Sequence, residues 1–474
     1  MNRFRYIASS AALVLWLSGV FGNQTALAQQ KGEMVVVTID FTTKILDEEV
    51  GQVYAGGIHR VVDIEGKWCA LQGIEGWLPM RNVIGLDSAL KLFSRRIRND
   101  QRDYDAWMTR GMIYLEQGDL TKALRDMDRA VRLNSQRANF WNNRALVFMR
   151  QNQIQLAIGD LNKAIQLAPK YANAFNNRGL CYYSIGDFER AVADYDEALE
   201  LREDVASWHV NRAVSLHALG KPDEAMQAYD RALELNESST EAYIGRSNIF
   251  LGRGDLTSAE DNASEAIRLN SESADAYNNR GWIRYKGERI AEAIIDFSKA
   301  VELDSQFAKA FSNRGVVHTE LGNHEEAIED LNRAIELERQ SPLAYTNRGN
   351  AWLAQKKYQR ASQDFDKALE LAENNPEALN GKAWFLATCE DSQFRDGAAA
   401  ATLAETACEA TNWTVWNHVD TLAAACAENG DFENAVKHQQ KALELAPQSK
   451  QELCRERLAL YEDGKTVLEA DEVN

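Results

Sequence analysis

Several familiar signatures of chemistry are absent from this sequence of 474 residues. It contains no CxxC pair, no phosphate-binding loop, no GxSxG motif and no HExxH motif. Its seven histidines are scattered, and no spacing of Cys and His suits zinc. Because an enzyme needs a constellation of reactive groups, the sequence predicts a non-catalytic protein without a cofactor or a metal ion.

Positive charge is also scarce. Lys and Arg number 53 against 71 Asp and Glu, which gives a formal net charge of −18. Phosphate backbones and anionic lipid surfaces repel such a chain, so nucleic acid is not expected as its general partner. One basic cluster, Arg95, Arg96, Arg98 and Arg102, is interrupted by Asp100 and Asp103 and is interpreted as a solvated helix face.

Long apolar runs are missing except near the start. Residues 1–28 follow the order of a secretory leader, with Arg3 and Arg5, then an apolar run from Ala11, then small residues ending at Ala28. The pattern predicts cleavage after Ala28 and a secreted or periplasmic protein with no integral membrane segment after cleavage. An uncleaved anchor is the alternative interpretation.

Cysteines are few, and their distribution is uneven. Four of the six lie in the last hundred residues, at Cys389, Cys408, Cys426 and Cys454. In an oxidising compartment these four could form a disulfide. The alternative is that they are buried as small apolar residues, as Cys426 would be at a core position.

What the sequence does contain is a repeat. From Tyr104 to Asn375 it divides into eight contiguous windows of 34 residues, and a period of this length indicates a solenoid. Positions are numbered from the first residue of each window, and the windows start at Tyr104, Ala138, Ala172, Ala206, Thr240, Ala274, Ala308 and Pro342.

The columns of this alignment predict two packed helices in each window. Position four is usually aromatic, position eight is always small, and positions 20 and 27 are always alanine. Small residues let two helix backbones approach closely, and the spacing of the apolar positions by three and four is helical. Gly-Asp pairs, as at Gly118, mark the turn between the two halves.

This set of columns resembles the tetratricopeptide repeat (TPR), and the resemblance extends from Tyr104 to about Gln448. It implies a mostly α protein, a right-handed α-solenoid of about ten helix-turn-helix repeats with a concave groove. One such unit cannot bury its apolar face alone, so its stability depends on stacking against its neighbours.

The remaining segments attach to this array. Residues 34–85 carry β-branched runs and turns, and Gly76-Trp77-Leu78-Pro79 resembles the closing strand of bacterial SH3-like barrels. Residues 86–103 are interpreted as a capping half-repeat. Residues 376–449 contain two further repeats, the first with an insertion of five residues before its second helix. Residues 450–461 are interpreted as a capping helix and 462–474 as a disordered tail.

Two polar columns face each other in the windows. Position seven is always arginine and position 23 is aspartate in six windows, which predicts a structural ladder of ion pairs between packed helices. Its arginines are Arg110, Arg144, Arg178, Arg212, Arg246, Arg280, Arg314 and Arg348, and its aspartates are Asp126, Asp160, Asp194, Asp296, Asp330 and Asp364.

A third polar column consists of asparagines at positions five and six. Asparagine is a poor helix former, about 0.5 kcal/mol worse than alanine, so its repetition needs a reason. In the family, an asparagine at this place contacts bound peptide, which implies a binding track formed by Asn142, Asn143, Asn176, Asn177, Asn211, Asn278, Asn279, Asn313 and Asn347. The alternative is that each asparagine bonds its own helix or the neighbouring repeat.

Two functions follow from these features. The first is an exported scaffold that binds proteins or extended peptides in the groove, where Gly245 would divide the asparagine track. The second is a cell-wall-associated module whose SH3-like barrel binds envelope polymer while the solenoid acts as a spacer. A carboxylate clamp is not expected, because Lys309 is the only lysine suitably placed for one.

Overall fold

The computed structural model describes residues 34–37, 41–45, 48–53, 58–65, 68–71, 77–79 and 83–468. The expected leader, residues 1–28, and residues 469–474 lie outside this part of the chain. The chain divides into two compact units, Met1–Ile249 and Phe250–Asn474. Among the described helices, none combines the length and the apolar character that crossing a membrane requires.

The first unit begins with a strand-rich region. Its strands pair in the order β3-β2-β6-β5-β4-β1-β7, and every pair is antiparallel. Val35, Val36 and Val37 of β1 are fully buried, as β-branched residues of an inner strand tend to be. The SH3-like character of this region stays a prediction. The strands are β1 (Met34–Val37), β2 (Phe41–Ile45), β3 (Glu48–Val53), β4 (Ile58–Glu65), β5 (Trp68–Leu71), β6 (Trp77–Pro79) and β7 (Val83–Gly85).

Helix α1 (Leu86–Asn99) joins the strands to the repeats and occupies the place of the expected half-repeat. It follows β7 without a linker. Phe93 and Ile97 of α1 pack in one apolar cluster with Val36 of β1 and Ala106 of the first repeat. Because one cluster includes all three elements, the strand-rich region is fixed to the first repeat.

The repeats of the first unit each combine a 13-residue helix A with a 14-residue helix B. The A helix of repeat five, α10 (Thr240–Gly252), contains the division between the units. Repeats one to four are α2 (Tyr104–Glu116) and α3 (Leu120–Leu133), α4 (Ala138–Arg150) and α5 (Ile154–Leu167), α6 (Ala172–Ser184) and α7 (Phe188–Leu201), α8 (Ala206–Ala218) and α9 (Pro222–Leu235).

The second unit continues the same pattern to the end of the described chain. The expected fold class, a mostly helical array of helix-turn-helix repeats after a small strand-rich region, is confirmed. Its helices are α11 (Leu256–Leu269), α12 (Ala274–Lys286), α13 (Ile290–Leu303), α14 (Ala308–Glu320), α15 (His324–Leu337), α16 (Pro342–Ala354), α17 (Tyr358–Leu371), α18 (Pro376–Thr388), α19 (Gly397–Ala410), α20 (Trp416–Glu428), α21 (Phe432–Leu445) and α22 (Gln451–Glu462).

The Gly-Asp turn has a simple physical basis. Gly118 adopts a φ of +79°, a left-handed conformation that ends helix A and that glycine adopts without strain. The carboxylate of the next residue, Asp119, accepts a hydrogen bond of 3.0 Å from the backbone N–H of Lys122 and thereby caps helix B. Gly186 and Asp187 form the same turn in repeat three.

Close packing within a repeat depends on the small residues at positions 8 and 20. A Cβ atom added to Gly315 would lie 3.2 Å from the carbonyl oxygen of Ala327 and 2.7 Å from the side chain of Leu331. Larger residues at position eight would therefore force helices A and B of the repeat apart.

The connection within repeat nine is longer than in the regular repeats. A short 3₁₀ helix, Ser392–Phe394, lies between α18 and α19. Arg395 secures this connection, because its Nε donates to Glu428 at 2.7 Å and its Nη1 donates to the carbonyl of Cys389 at 2.9 Å. The insertion is therefore an ordered part of the fold.

The C-terminal helix is anchored by a buried polar group. Gln439 of α21 donates to Asp420 at 2.9 Å and to the carbonyl of Cys454 at 3.2 Å, and Arg457 of α22 bonds Asp420 as well. Burial raises the pKa of Asp420, while Arg457 lowers it. The expected disorder from residue 462 begins too early, because Val467 still packs against the terminal apolar cluster.

Candidate functional site

The arginines of position seven form ion pairs with the aspartates of position 23 in six repeats. In each pair, Nε and Nη2 donate to the two carboxylate oxygens over 2.6 to 3.1 Å, which is the bidentate geometry of the two planar groups. The pairs are Arg110–Asp126, Arg144–Asp160, Arg178–Asp194, Arg280–Asp296, Arg314–Asp330 and Arg348–Asp364.

These pairs connect helix A to helix B inside one repeat. The aspartates are buried, and the Asp194 side chain is only 7% exposed. The hydrogen bond to Asp194 raises the pKa of Arg178, and the bond to Asp330 does the same for Arg314. A buried carboxylate of this kind needs its cation, because an unpaired charge in the interior is costly.

The same arginines also bond the preceding repeat. Their third nitrogen, Nη1, donates to a polar residue sixteen positions earlier, at position 25 of the repeat before. Arg144 reaches Asp128 at 2.8 Å, and Arg178 reaches Asn162 at 2.7 Å. Arg110 extends this pattern to α1, where it donates to Ser94 at 3.2 Å. Each guanidinium therefore joins three helices, its own helix A and the two B helices that it bonds.

Sequence reasoning missed the column at position 25, although a signal was present. This position is polar in all eight windows, on a helix whose neighbouring positions 24 and 27 are mostly apolar. The residues are Asp128, Asn162, Asp196, Asp230, Ser264, Ser298, Asn332 and Asp366.

The asparagines of positions five and six bond each other between successive repeats. The Nδ2 of a position-six asparagine donates to the position-five side chain of the repeat before it. Asn177 donates to Asn142 at 2.9 Å, Asn211 to Asn176 at 3.1 Å, and Asn313 to Asn278 at 2.9 Å. Asn347 donates to the hydroxyl of Ser312 at 3.1 Å. We call these contacts the amide links.

The amide links match the alternative in which each asparagine bonds the neighbouring repeat. Most of these side chains are buried, including those of Asn142, Asn176 and Asn278. Asn143 is the informative exception, because Met108 stands at position five of the repeat before it. The Nδ2 of Asn143 is buried without a partner among the described residues. An amide link therefore requires polar groups at both positions.

Repeat four lacks both the ion pair between positions 7 and 23 and an amide link to the repeat that follows it. Its Arg212 has Ala228 where other repeats carry the aspartate, and its Nε bonds Asp196 of repeat three at 2.5 Å instead. Position five is Val210, and position six of the next repeat is Gly245, so no amide link can form between them. The two polar connections are thus lost at the same place in the chain.

The ring of Tyr229 explains why residue 245 is a glycine. A Cβ atom at Gly245 would lie 2.1 Å from the Cζ of Tyr229, which excludes any other residue unless the ring moves. In repeat three the equivalent Tyr195 packs against Gly179 of its own repeat, where an added Cβ would lie 2.7 Å from the ring. Repeat four has Ala213 in that place, so its tyrosine ring extends toward position six of the following repeat.

The A helices lie next to one another within each unit. Helices α2, α4, α6 and α8 contact in succession in the first unit, as do α12, α14, α16, α18 and α20 in the second, whereas contact between successive B helices is weaker. Within each unit, we call the surface formed by its A helices the A face of that unit. It contains the amide links, and beside them runs the column of position nine.

In four of the eight windows, position nine supplies a partly exposed apolar side chain on the A face, whereas Met112 and Leu180 are buried there and the other two windows have a polar residue, such as Asn248. Leu146 and Val214 belong to the first unit, and Trp282 and Val316 belong to the second. In repeat nine, Trp384 is covered by the guanidinium of Arg457, whose Cζ lies 4.7 Å from the ring centroid. The A face therefore combines a polar column with an apolar one, a feature that the sequence analysis overlooked.

Reactive groups are sparse in the described part of the chain. No cluster of three or more His, Cys, Asp or Glu residues is placed there to hold a metal ion. All six cysteines are free and buried, so the disulfide considered for the C-terminal four is not formed. Burial raises the pKa of Cys408 to about 12 and that of Cys426 to about 11, which keeps both thiols protonated at neutral pH.

Solved structures include several with a similar arrangement of helices. A tetratricopeptide repeat protein from Parabacteroides merdae is 21% identical over 52% of this chain and 98% of its own, with a TM-score of 0.47. Yeast Tom70 is 17% identical over 80% and 92%, with a TM-score of 0.41. YrrB, a TPR protein with an unusual peptide-binding site, is 26% identical over 40% and 97%, with a TM-score of 0.30.

No curated protein matches the sequence. Models of the tetratricopeptide repeat do match it, at residues 85–138, 109–172, 172–205, 206–239, 244–308, 308–341, 342–375 and 421–449. These matches together cover well over half of the chain and agree with the helix pairs of the structure. The chain belongs to the tetratricopeptide repeat family.

Proposed function

We propose that this protein is a non-catalytic interaction scaffold that binds an extended segment of a partner protein along an A face. The observation that carries the proposal is the apolar column of position nine beside the amide links. An extended polypeptide presents side chains on alternate faces and amide groups between them, so it can contact an apolar and a polar column together.

The amide contacts of this proposal are best provided by Asn211 and Asn347. Each donates one bond to the preceding repeat, and each is only partly buried. Their Oδ1 atoms accept no hydrogen bond among the described residues, so both remain available to a backbone N–H of a ligand. The more deeply buried asparagines mainly connect repeats, and they would contact a ligand only at their edges.

The test uses peptides selected from a random library for binding to the full chain. Affinities are then measured by fluorescence anisotropy for the chain, for Trp282→Ala and for Asn347→Ala. Truncating an anchor residue is expected to weaken binding about tenfold or more. The matched control is Ile295→Ala on the outer helix α13, where the side chain is 66% exposed and lies off the A face.

Equal affinities for the chain, Trp282→Ala and Ile295→Ala would exclude the A face as the binding surface. Retention of the same peptides by the strand-rich region would favour the second function, in which that region binds and the repeats act as a spacer. Because Trp282 is only partly buried at the edge of its apolar cluster, its truncation should leave the helix pair folded, and circular dichroism checks this.

We further propose that the protein is exported, on the basis of the leader pattern in residues 1–28. Expression of the complete sequence in a bacterium, followed by N-terminal sequencing of the protein outside the cytoplasm, tests this. A mature chain that begins at Gln29 is the expected result. A protein that stays in the cytoplasm with Met1 retained would contradict it.

A further inference from the structure

On the outer face of the B helices, positions 26 and 29 are both charged in seven of the eight windows; repeat two has Gln166, and repeat three has two glutamates, Glu197 and Glu200. In repeats four to eight the two residues have opposite charge and form an ion pair one helical turn apart. The pairs are Arg231–Glu234 at 2.8 Å, Glu265–Arg268 at 2.5 Å, Lys299–Glu302 at 2.7 Å, Arg333–Glu336 at 3.1 Å and Lys367–Glu370 at 2.8 Å.

The first two B-type helices, α1 and α3, depart from this pattern because both of their charged residues at these positions are positive. Position 26 and position 29 are both arginine in α1, as Arg95 and Arg98, and again in α3, as Arg129 and Arg132. All four side chains are exposed, and none has a partner among the described residues. Lys91 lies one turn before Arg95 on the same face of α1 and is exposed as well.

Helices α1 and α3 both pack against α2. Arg110 of α2 connects them, because it donates to Ser94 of α1 and, on its other edge, to Asp126 of α3. Arg95 and Arg129 occupy the same repeat position, as do Arg98 and Arg132, so the two arginine pairs lie on the exposed faces of consecutive B-type helices. We call Lys91, Arg95, Arg98, Arg129 and Arg132 the arginine surface.

Three acidic residues near this surface, Asp126, Asp128 and Asp103, are engaged elsewhere. Asp126 binds Arg110 through both oxygens, and Asp128 accepts from Arg144 of the next repeat. Asp103, which interrupts the basic cluster in the sequence, bonds Arg96 at 2.8 Å and caps α2 through Ala106. The structure therefore leaves more unpaired positive charge here than the sequence alone suggests.

The stability of the individual helices does not account for the arginine pairs of α1 and α3. Cations in the last turn favour the helix dipole, and this explains Arg98 and Arg132. Arg95 and Arg129 lie earlier, and like charges three residues apart disfavour a helix. A chain with a net charge of −18 thus concentrates arginines where its own repeat pattern would place an opposite pair.

We propose that the arginine surface is a docking site for an acidic segment of a partner protein, separate from the A face. Guanidinium groups hold carboxylates in bidentate pairs, and all four core positions of the surface are arginine rather than lysine. A short acidic segment contacts only this surface, whereas an anionic membrane or a nucleic acid also meets the acidic remainder of the chain. No large apolar side chain of α1 or α3 is strongly exposed, which disfavours insertion into lipid.

The test is the double variant Arg98→Glu and Arg132→Glu in the full chain. It gives α1 and α3 the opposite pairs that repeats four to eight use, so the helices should stay folded, and circular dichroism checks this. The probe is a fluorescein-labelled peptide of eight glutamates alternating with serines, compared with its glutamine counterpart by anisotropy at low salt.

The matched control is Arg231→Glu with Arg333→Glu, which changes the net charge equally at later outer-face positions. We expect the unmodified chain and the control to bind the acidic peptide and not the glutamine peptide. The test variant should bind it about tenfold more weakly or worse, which corresponds to about 1.4 kcal/mol. Equal binding by the test variant and the control would overturn the proposal.

Phosphatidylglycerol vesicles and single-stranded DNA serve as competing probes. If either binds the unmodified chain but not the test variant, while the acidic peptide binds neither, the partner class is wrong and the proposal is overturned. Because Trp282 and Asn347 are unchanged in these variants, failure here leaves the A-face function untouched.

Discussion

Repeats three and four, residues 172–205 and 206–239, have the same helix lengths and the same alanines at positions 20 and 27, and position 8 is small in both. Their polar residues differ. Arg178 of repeat three is held by Asp194 on one side and by Asn162 on the other. Arg212 of repeat four has only Asp196, because Ala228 replaces the carboxylate.

The difference separates two kinds of information in the repeat. Apolar and small residues specify the helix pair, since repeat four forms it without the internal ion pair. Polar columns add connections between that pair and its neighbours. Repeat four keeps its amide link to repeat three through Asn211 and lacks the one that would start from Val210.

The largest expected effect tests the ion pair of repeat three. Asp194→Ala leaves the guanidinium of Arg178 partly buried with two of its three hydrogen bonds lost, and we expect a loss of about 3 kcal/mol in unfolding free energy. Urea denaturation measures it, and hydrogen exchange in α6 and α7 localises it. Asp196→Ala is the matched control, because that carboxylate is 52% exposed and should contribute less than about 1 kcal/mol. Equal losses of unfolding free energy in Asp194→Ala and Asp196→Ala would refute the distinction between ion pairs within a repeat and ion pairs between repeats.

A second substitution tests the direction of the tyrosine ring. Gly245→Ala places a methyl group against the ring of Tyr229, and overpacking of this kind costs about 2 kcal/mol. Tyr229→Leu, which copies Leu161 of repeat two, should make the alanine tolerable in the double variant. Thermal unfolding of the three variants measures this coupling. Additive losses in the double variant would show that the two residues do not compete for space.

The converse of Asp194→Ala restores the ion-pair carboxylate that repeat four lacks. Ala228→Asp places a carboxylate where Asp194 lies in repeat three, and pairing with Arg212 should slow hydrogen exchange in α8 and α9. The gain is expected to be about 1 kcal/mol, because desolvation of the new carboxylate offsets much of the attraction. Ala228→Asn has a similar size without the charge and should give no gain. Destabilisation by both variants would mean that repeat four has repacked around the alanine.

The sequence predicted the fold class because a 34-residue period fixes both helices and the turn between them. It also predicted the partners of the arginine column, since Arg178 and Asp194 recur sixteen residues apart in most windows. Both inferences use one repeat at a time, where the contacts are local and recur many times.

Contacts between repeats were harder to predict. The links from Asn177 to Asn142 and from Arg178 to Asn162 join different windows. The residues at one repeat position therefore do not reveal which position of the neighbouring repeat they bond. Gly245 was recognised as an interruption, but its cause lies in the ring of Tyr229, whose direction depends on Ala213. The peptide-binding role of the asparagines stays a prediction, and its best remaining candidates are Asn211 and Asn347.

The smallest effect concerns a carboxylate that lacks the close pairing of Asp194. Asp105, at position two of repeat one, lies 4.0 Å from Arg137, and burial raises its pKa to about 6. A folded-state pKa above the unfolded value of 3.8 adds stability that is complete below pH 3.8 and is lost as the pH rises through 6. Asp105→Asn should therefore stabilise the protein by about 1 kcal/mol at pH 8 and lose that advantage near pH 4. Urea denaturation at the two pH values measures the difference, with Asp196→Asn as an exposed control. A pH-independent effect of Asp105→Asn would show that its charge is compensated as completely as that of Asp194.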